Sequence, residues 1–236
     1  IDKTTHGGSI AVRMSATPGA STGVFPEDAS LVYDDRRLAD RLRRPKLATF
    51  LPVEKASDFP KRCAETAQRF AQPGKTVAVI VNRVATARAI HGLIVQSTGS
   101  GKKHFHGLSL LLTGRCRTLD RDALLQDYKE RLLAGRKPRA QQEAPPLIVV
   151  ATQCVEAGAD FDFDALVTEC CPLDSLRQRL GRLNRIGELP EAEAVIVAGA
   201  DTLAGKPDPI YGTAMAETWK WLNERRQPLD FAPAAV

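Results

Sequence analysis

Residues 144–188 read APPLIVVATQCVEAGADFDFDALVTECCPLDSLRQRLGRLNRIGE, and this stretch predicts two buried strands followed by a helix. Leu147–Thr152 and Ala165–Thr168 are short apolar runs, each bounded by polar or turn-forming residues. Leucines then recur at spacings of three and four, which predicts an amphipathic helix over Leu173–Arg185. Strands that alternate with helices in this way are typical of an α/β fold.

The predicted helix has two unlike sides. Because a helix turns roughly 100° per residue, four leucines fall on one stripe that can be buried: Leu173, Leu176, Leu180 and Leu183. Gln178, Arg182 and Arg185 fall within about 60° of each other on the opposite side. Guanidinium groups held in one direction favour an anionic ligand, although a solvated basic helix has the same pattern.

The rest of the chain alternates apolar runs with amphipathic stretches, which predicts a parallel sheet with crossover helices. The other predicted strands are Ile10–Ser15, Ala48–Pro52, Val77–Asn82, Leu108–Thr113 and Ala194–Ala198. The other predicted helices are Asp35–Arg43, Asp58–Ala71, Val84–Gln96, Asp120–Ala134 and Pro209–Arg225. Loops are expected at Thr98–His104 and Gly135–Pro146. Sheets of this kind bind ligands at the carboxyl ends of their strands, where Asn82, Gly114 with Arg115, and Thr152 lie.

Composition sets limits on the function. With 236 residues, of which 43% are hydrophobic, the chain is long enough for a substantial core. A net charge of +5 permits binding to a polyanion, and an ordinary basic surface explains it equally well.

Five cysteines without a CxxC pair indicate a reducing cytoplasm. No run approaches the ~20 apolar residues that span a bilayer, so no membrane partner is expected. No metal site is expected, since His104 and His106 lack a third ligand at a supporting spacing.

Two short motifs each allow two interpretations. In SATPGA, Ser15 and Thr17 follow a strand-like run and could bond across a cleft, or belong to an ordinary turn. In ATQCVEAGAD, the Thr152 hydroxyl could bind a phosphate, Gly158 permits a tight turn, and Asp160 could accept from a ribose hydroxyl. The alternative for this second motif is a plain strand-to-loop transition in which Asp160 is a cap.

The residues of a phosphate-binding loop are missing from the 236 residues. Gly101-Lys102 has Gln96 at the upstream glycine position, and Gly74-Lys75 has Arg69 there. No Asp-Glu pair ends an apolar strand, so a magnesium-binding acidic motif is not expected either.

In this order, the motifs resemble the second half of a superfamily 2 helicase motor. SAT resembles motif III, VAVIVNRVATARAI motif IV, ATQCVEAGAD motif V and QRLGRLNR motif VI, while LLLTGRCRTLDRDAL resembles the strand-Gly-Arg element between motifs IV and V. The segments VEAGADFDF, PLDSL and GRLNR are similar to the helicase part of the CRISPR-associated helicase-nuclease of type I systems. The resemblance implies an α/β fold of the P-loop NTPase type, with a RecA-like parallel β-sheet flanked by helices on both faces.

The same resemblance implies roles for particular residues. Arg182 and Arg185 would be arginine fingers directed at a γ-phosphate held by the first RecA-like domain, and Gln178 would orient them or the attacking water. Gly158 and Asp160 would contact the nucleotide. Four residues would hold the single-stranded backbone: Thr152, Gly114, Arg115 and Asn82. Ser15 and Thr17 would couple the two domains.

The function implied is that of an ATP-dependent DNA helicase or translocase of CRISPR type I interference. Its partners would be single-stranded DNA, the first RecA-like domain and a CRISPR effector complex, with ATP and Mg²⁺ as cofactors of the full-length protein. Residues 1–30 would end the first domain, 31–200 would form the second, and 201–236 a helical extension. Because the chain starts at Ile1, we expect a longer protein. Because the phosphate-binding loop and the acidic motif are missing from these residues, we expect the isolated chain to be inactive. The alternatives are an RNA helicase, a restriction translocase, or a RecA-like binding module without hydrolysis.

Overall fold

The computed structural model describes residues 4–6, 9–11, 36–97, 105–114, 118–135, 144–156 and 160–233. These residues include a seven-stranded sheet whose spatial order is β5-β6-β4-β7-β8-β3-β9. Its strands are β3 (Lys46–Pro52), β4 (Thr76–Ile80), β5 (Leu108–Leu112), β6 (Leu147–Ala151), β7 (Ala165–Glu169), β8 (Ala192–Ala198) and β9 (Leu229–Asp230). A separate antiparallel pair consists of β1 (Thr4–His6) and β2 (Ser9–Ala11).

The prediction of an α/β fold with a parallel sheet is confirmed for six strands. All pairings among β3 to β8 are parallel. The sheet is nevertheless mixed at one edge, because β9 pairs antiparallel with β3. No apolar run marked this two-residue strand, which is held in part by the backbone N–H of Lys46 donating to Asp230 Oδ1 at 2.9 Å. The predicted strand Ile10–Ser15 is described only at Ile10 and Ala11, within β2.

Helices cover both faces of the sheet. They are α1 (Arg36–Arg43), α2 (Phe59–Phe70), α3 (Val84–Gln96), α4 (Thr118–Leu132), α5 (Leu173–Leu180), α6 (Ala200–Leu203) and α7 (Ala214–Asn223). Because successive strand residues point to opposite faces of the sheet, β4 contributes side chains to two hydrophobic cores. Val77 and Val79 pack with α2 and α3, whereas Ala78 and Ile80 pack with α5 and α7. The prediction of helices on both faces is confirmed.

Helix α5 is shorter than predicted, and this changes the geometry of the arginine side. The helix ends at Leu180, not Arg185, so Arg182 and Arg185 lie in the turn that follows it. The chain turns because Leu183 forms a parallel bridge with Phe163: the Phe163 N–H donates to the Arg182 carbonyl and the Asn184 N–H donates to the Phe163 carbonyl. The predicted comb of side chains along a single helix is therefore wrong.

The leucine stripe itself is buried as predicted. Leu176, Leu180 and Leu183 are at most 2% exposed, and Leu173 packs against the same core while partly buried. Full burial of such side chains contributes roughly 1.5–3 kcal/mol each. This packing fixes the side of α5 that faces the sheet.

Other predicted boundaries shift at segment ends. The last predicted helix begins at Ala214 instead of Pro209, because Asp208 and Gly212 form a tight antiparallel bridge before it. The helix predicted at Asp120–Ala134 is Thr118–Leu132. Predicted loop residues 98–104 and 136–143 lie outside the described residues. In the described part of the chain, no helix combines the length and the apolar character needed to cross a membrane.

Candidate functional site

Three of the residues predicted to bind the nucleic-acid backbone lie at the carboxyl ends of neighbouring strands. The strand order places β5, β6 and β4 side by side, so that Gly114, Thr152 and Asn82 follow neighbouring carboxyl ends. The Thr152 N–H donates to the Leu112 carbonyl at 3.2 Å. Gly114 is exposed, with open space where a side chain would project. Arg115 lies outside the described residues.

Asn82 is only 6% exposed, and its side chain is occupied inside the protein. Its Nδ2 donates to the Cys170 carbonyl at 2.9 Å, and its Oδ1 accepts from Arg179 Nη2 at 2.8 Å. Its backbone carbonyl accepts from Gln153 Nε2 at 3.0 Å. The Asn82 amide therefore supports neighbouring residues instead of pointing at the sheet edge.

Arg179 is the largest fully buried side chain of the described core, with 0% exposure. Its Nη1 donates to Thr168 Oγ1 at 3.0 Å and to the Glu169 carbonyl at 3.1 Å, both at the end of β7. Its Nε donates to Glu156 Oε1 at 2.7 Å. A buried charge is stable only when it is paired and its donors are satisfied, and these contacts meet both conditions.

Glu156 holds a second arginine through its backbone. The Glu156 carbonyl accepts from Arg182 Nη2 at 2.5 Å, while its carboxylate binds Arg179. One residue therefore fixes the two arginines on either side of Gly181. Burial lowers the pKa of Arg182, and the neighbouring Arg185 lowers it further. Negative charge brought beside this turn would offset both effects.

Arg185 is fixed by two aspartates. Its Nη2 donates to Asp160 Oδ1 at 3.0 Å, with 29% of the Arg185 side chain and 74% of the Asp160 side chain exposed. Its backbone N–H donates to Asp162 Oδ1 at 2.7 Å. The structure thus brings together three of the predicted site residues (Arg182, Arg185 and Asp160), all around the segment that joins β6 to β7. Gln178 is exposed on α5, while Gly158, Ser15 and Thr17 lie outside the described residues.

The turn that carries these arginines is closed by Asn184. This residue has a φ of 43°, the left-handed conformation that Asn tolerates better than most residues. Its Oδ1 accepts from the Leu189 N–H at 3.0 Å, and its Nδ2 donates to the Leu189 carbonyl at 2.9 Å. The two bonds hold the turn between Arg182 and Arg185 in one shape.

A buried cation lies beneath the same turn. Lys46 is 4% exposed, and its Nζ donates to the Leu180 carbonyl at 3.1 Å. Burial lowers its pKa to about 8, Asp162 opposes this shift, and Arg41 and Arg185 add to it. The turn therefore lies in a positively charged environment, which favours an anionic ligand.

A cavity of about 600 Å³ lies at the carboxyl ends of β4 and β7. Its lining includes Arg83, Glu169 and Asp208, and Arg83 Nη2 pairs with Asp208 Oδ2 at 2.6 Å. Burial raises the pKa of Glu169, although the Asn82 N–H that bonds to its carboxylate opposes the shift. The cavity is near the predicted strand-end site, and sequence reasoning did not anticipate it.

Sequence reasoning also missed Arg179, Glu156 and Lys46. A signal for Arg179 was present: it follows Leu176 by three residues and so lies near the buried side of the helix, within about 60° of that leucine. An arginine at such a position requires buried acceptors. Glu156 and Lys46 had no comparable periodic signal, since each lies at the end of an element.

Comparison with known proteins identifies the domain. Residues 73–188 match the family model described as CRISPR-associated nuclease/helicase Cas3, C-terminal. The chain is 63% identical over 38 residues to the CRISPR-associated endonuclease/helicase Cas3 of Escherichia coli, covering 16% of this chain and 4% of that protein. It is 33% identical over 120 residues to the CRISPR-associated helicase Cas3 of Thermoproteus tenax, covering 50% of this chain and 18% of that protein.

A solved structure has the same fold. The crystal structure of T. fusca Cas3-ADP matches 82% of this chain and 23% of that chain, with a TM-score of 0.64 and 21% identity. The chain thus spans less than a quarter of the length of each of these three relatives. Residues 73–188 accordingly match the Cas3-like C-terminal family, and the chain shares the RecA-like fold of the corresponding part of T. fusca Cas3.

Proposed function

We propose that this chain supplies one half of an ATP site and one half of a single-strand site in an ATP-dependent DNA helicase or translocase of CRISPR type I interference. The first RecA-like domain of the same protein would supply the phosphate-binding loop. A CRISPR effector complex would deliver the DNA. ATP is the substrate, and Arg182 and Arg185 are the arginine fingers.

The observation that carries this proposal is the clustering of Arg182, Arg185 and Asp160 around the segment between β6 and β7. Arg182 bonds to the Glu156 carbonyl and Arg185 to Asp160, so both guanidinium groups are held by partners on their own domain. We propose that they exchange these partners for the γ-phosphate when the two domains close. A finger that neutralises charge in the transition state can raise the rate about 10³–10⁵-fold.

Asp160, with Gly158, would contact the ribose and phosphates once Arg185 has left it. Gln178 is exposed on the preceding turn of α5 and would orient the fingers or the attacking water. In the described residues, no group of three or more His, Cys, Asp or Glu side chains could hold a metal ion. We assign the ligands of the Mg²⁺ that accompanies ATP to the first domain, and no step on this chain uses it.

The single-strand half of the site is assigned to the adjoining ends of β5, β6 and β4. Gly114 leaves its backbone accessible there. Thr152 is 4% exposed and its N–H donates to the Leu112 carbonyl, so we assign it to the floor of the site behind Gly114. Arg115 would add charge, while Asn82 would act by holding Gln153 beside Thr152. Contacts to the backbone alone suit a translocase, which must move along any sequence. Ser15 and Thr17 would transmit closure between domains.

The experiment that tests this proposal is ATP hydrolysis by the full-length protein with single-stranded DNA. Arg182→Ala should lower kcat by at least about 10³-fold, with a much smaller change in the dissociation constant for DNA. Arg177→Ala is the matched control, because Arg177 is an exposed arginine on the same short helix. Equal kcat values for Arg182→Ala and the unmodified protein would exclude the finger assignment.

A second measurement concerns the isolated 236-residue chain. It should hydrolyse no ATP above background and bind single-stranded DNA weakly, with an affinity that falls steeply as salt rises. ATP turnover by this chain alone, lost in Arg182→Ala, would contradict the division of the site between two domains.

A further inference from the structure

We propose that Arg179 is a positioning residue that couples the single-strand site to the nucleotide site. The inference rests on the proposed function and adds to it a route between the two halves. Arg179 is fully buried, with 0% exposure. It acts through Glu156 on one side and through Asn82 on the other.

The two proposed sites are joined by a very short piece of chain. Thr152 ends β6, the 3₁₀ turn Gln153–Val155 follows directly, and Glu156 comes next. Only three residues therefore separate Thr152, assigned to the nucleic acid, from Glu156, whose carbonyl binds Arg182. Any displacement of Thr152 reaches Glu156 unless the turn between them deforms.

Both ends of this piece are clamped by one connected set of polar groups. At its start, Gln153 Nε2 donates to the Asn82 carbonyl at 3.0 Å. At its end, Glu156 Oε1 accepts from Arg179 Nε at 2.7 Å. Arg179 Nη2 completes this hydrogen-bond network by donating to Asn82 Oδ1 at 2.8 Å. The guanidinium plane thus fixes the distance between Asn82 and Glu156.

The properties of the arginine side chain explain why this link is rigid. Its planar fork holds several donors at fixed angles, whereas a lysine ammonium is a single point on a flexible stem. Arg179 uses Nε for Glu156, Nη2 for Asn82, and Nη1 for Thr168 and Glu169. A lysine retains the charge that pairs with Glu156 but cannot serve all these acceptors. Arg179→Lys therefore removes the positioning of Asn82 and Glu156 while it keeps the positive charge.

The test compares ATP hydrolysis by the full-length protein with and without single-stranded DNA. The quantity of interest is the ratio of the stimulated kcat to the basal kcat. Arg179→Lys should lower this ratio about tenfold, within the 5–150-fold range of typical coupling between sites. Arg177→Lys, the same substitution two residues away on the exposed side of α5, should leave the ratio unchanged.

A second variant approaches the link from its other end. Asn82→Ser shortens the arm that reaches Arg179 and should lower the ratio by a similar factor. The double variant should show little further loss, because residues of one network are not additive. If Arg179→Lys does not fold, Asn82→Ser with Glu156→Gln provides the same cycle. Thermal unfolding of every variant is measured in parallel.

The results separate three cases. A ratio that stays within twofold in Arg179→Lys and in Asn82→Ser, with a lowered Tm, overturns the inference and leaves Arg179 a purely structural residue. Additive losses in the double variant also overturn it. Failure of the proposed function has a different signature, because Arg182→Ala would then leave both basal and stimulated hydrolysis intact.

Discussion

Asp160 and Arg185 form an ion pair at 3.0 Å, so two residues that we assign to the nucleotide site are in contact with each other. The pair is largely solvent-exposed, since Asp160 is 74% accessible. Exposed pairs contribute typically 0.2–1 kcal/mol, which is small beside the interaction with a triphosphate. This weak pair can hold Arg185 in place and still release it to a stronger partner.

Asp160→Asn is therefore expected to affect nucleotide binding more than stability. Loss of a hydrogen bond to a ribose hydroxyl should raise the KM for ATP of the full-length protein about fivefold, corresponding to about 1 kcal/mol. The free energy of unfolding should change by less than about 1 kcal/mol. Asp201→Asn is the matched control, since Asp201 also pairs with a cation, Lys206, on the surface. An unchanged KM in Asp160→Asn would remove Asp160 from the nucleotide site.

Gly187 is expected to tolerate no side chain. Its φ is 72°, and a Cβ there would lie 2.9 Å from the Cα of Arg41 in α1. Gly205 has a nearly identical φ of 70° with open space around it. Gly205→Ala should cost about 1–2 kcal/mol of backbone strain, and Gly187→Ala should cost clearly more because α1 must also move. Chemical denaturation of the two variants measures the difference in their free energies of unfolding. Equal losses of stability would show that α1 can move away from position 187 at no cost.

The pH dependence of stability should reveal the buried lysine. Burial lowers the pKa of Lys46 to about 8 in the folded protein, from 10.5 when unfolded. Between these values the unfolded state binds more protons, so stability rises with pH, by about 3 kcal/mol in total for this group. Lys46→Met removes this contribution. The free energy of unfolding of the unmodified protein, minus that of Lys46→Met, should thus increase from pH 7 to pH 10.

Other groups titrate in the same range and act oppositely. Burial raises the pKa values of Cys63, Cys170 and Cys171, so the folded state retains their protons longer and stability falls above about pH 9. Because both proteins contain these cysteines, the difference between them isolates Lys46. Parallel pH profiles for the two proteins would contradict the lowered pKa of the lysine.

The same cysteines should resist alkylation. Burial raises the pKa of Cys171 to about 12 and shifts those of Cys63 and Cys170 in the same direction, and only the thiolate reacts. Among the four described cysteines, half-buried Cys154 should react first with iodoacetamide at pH 8. Mass spectrometry after partial labelling identifies the order. Early labelling of Cys170 or Cys171 would indicate that α5 opens locally.

The sequence predicted what periodic patterns encode and missed what depends on single contacts. The parallel strands and the leucine stripe followed from apolar spacing, because β4 is buried on both faces and α5 is buried along one side. The end of α5 was misplaced because the bridge from Leu183 to Phe163 joins residues twenty apart in sequence. Arg179 was missed because its acceptors, on Asn82, Glu156 and β7, come together only in the folded sheet.

The Asn184 turn has a consequence for how this site can vary among proteins. Glycine would adopt the same backbone angle, but it lacks the side-chain oxygen and the side-chain NH₂ group that bond to the Leu189 N–H and carbonyl. Aspartate would accept from the Leu189 N–H, yet it could not donate to the Leu189 carbonyl. The side chain at position 184 therefore determines the shape of the turn between Arg182 and Arg185, and a relative with another residue there must hold its arginines by different contacts.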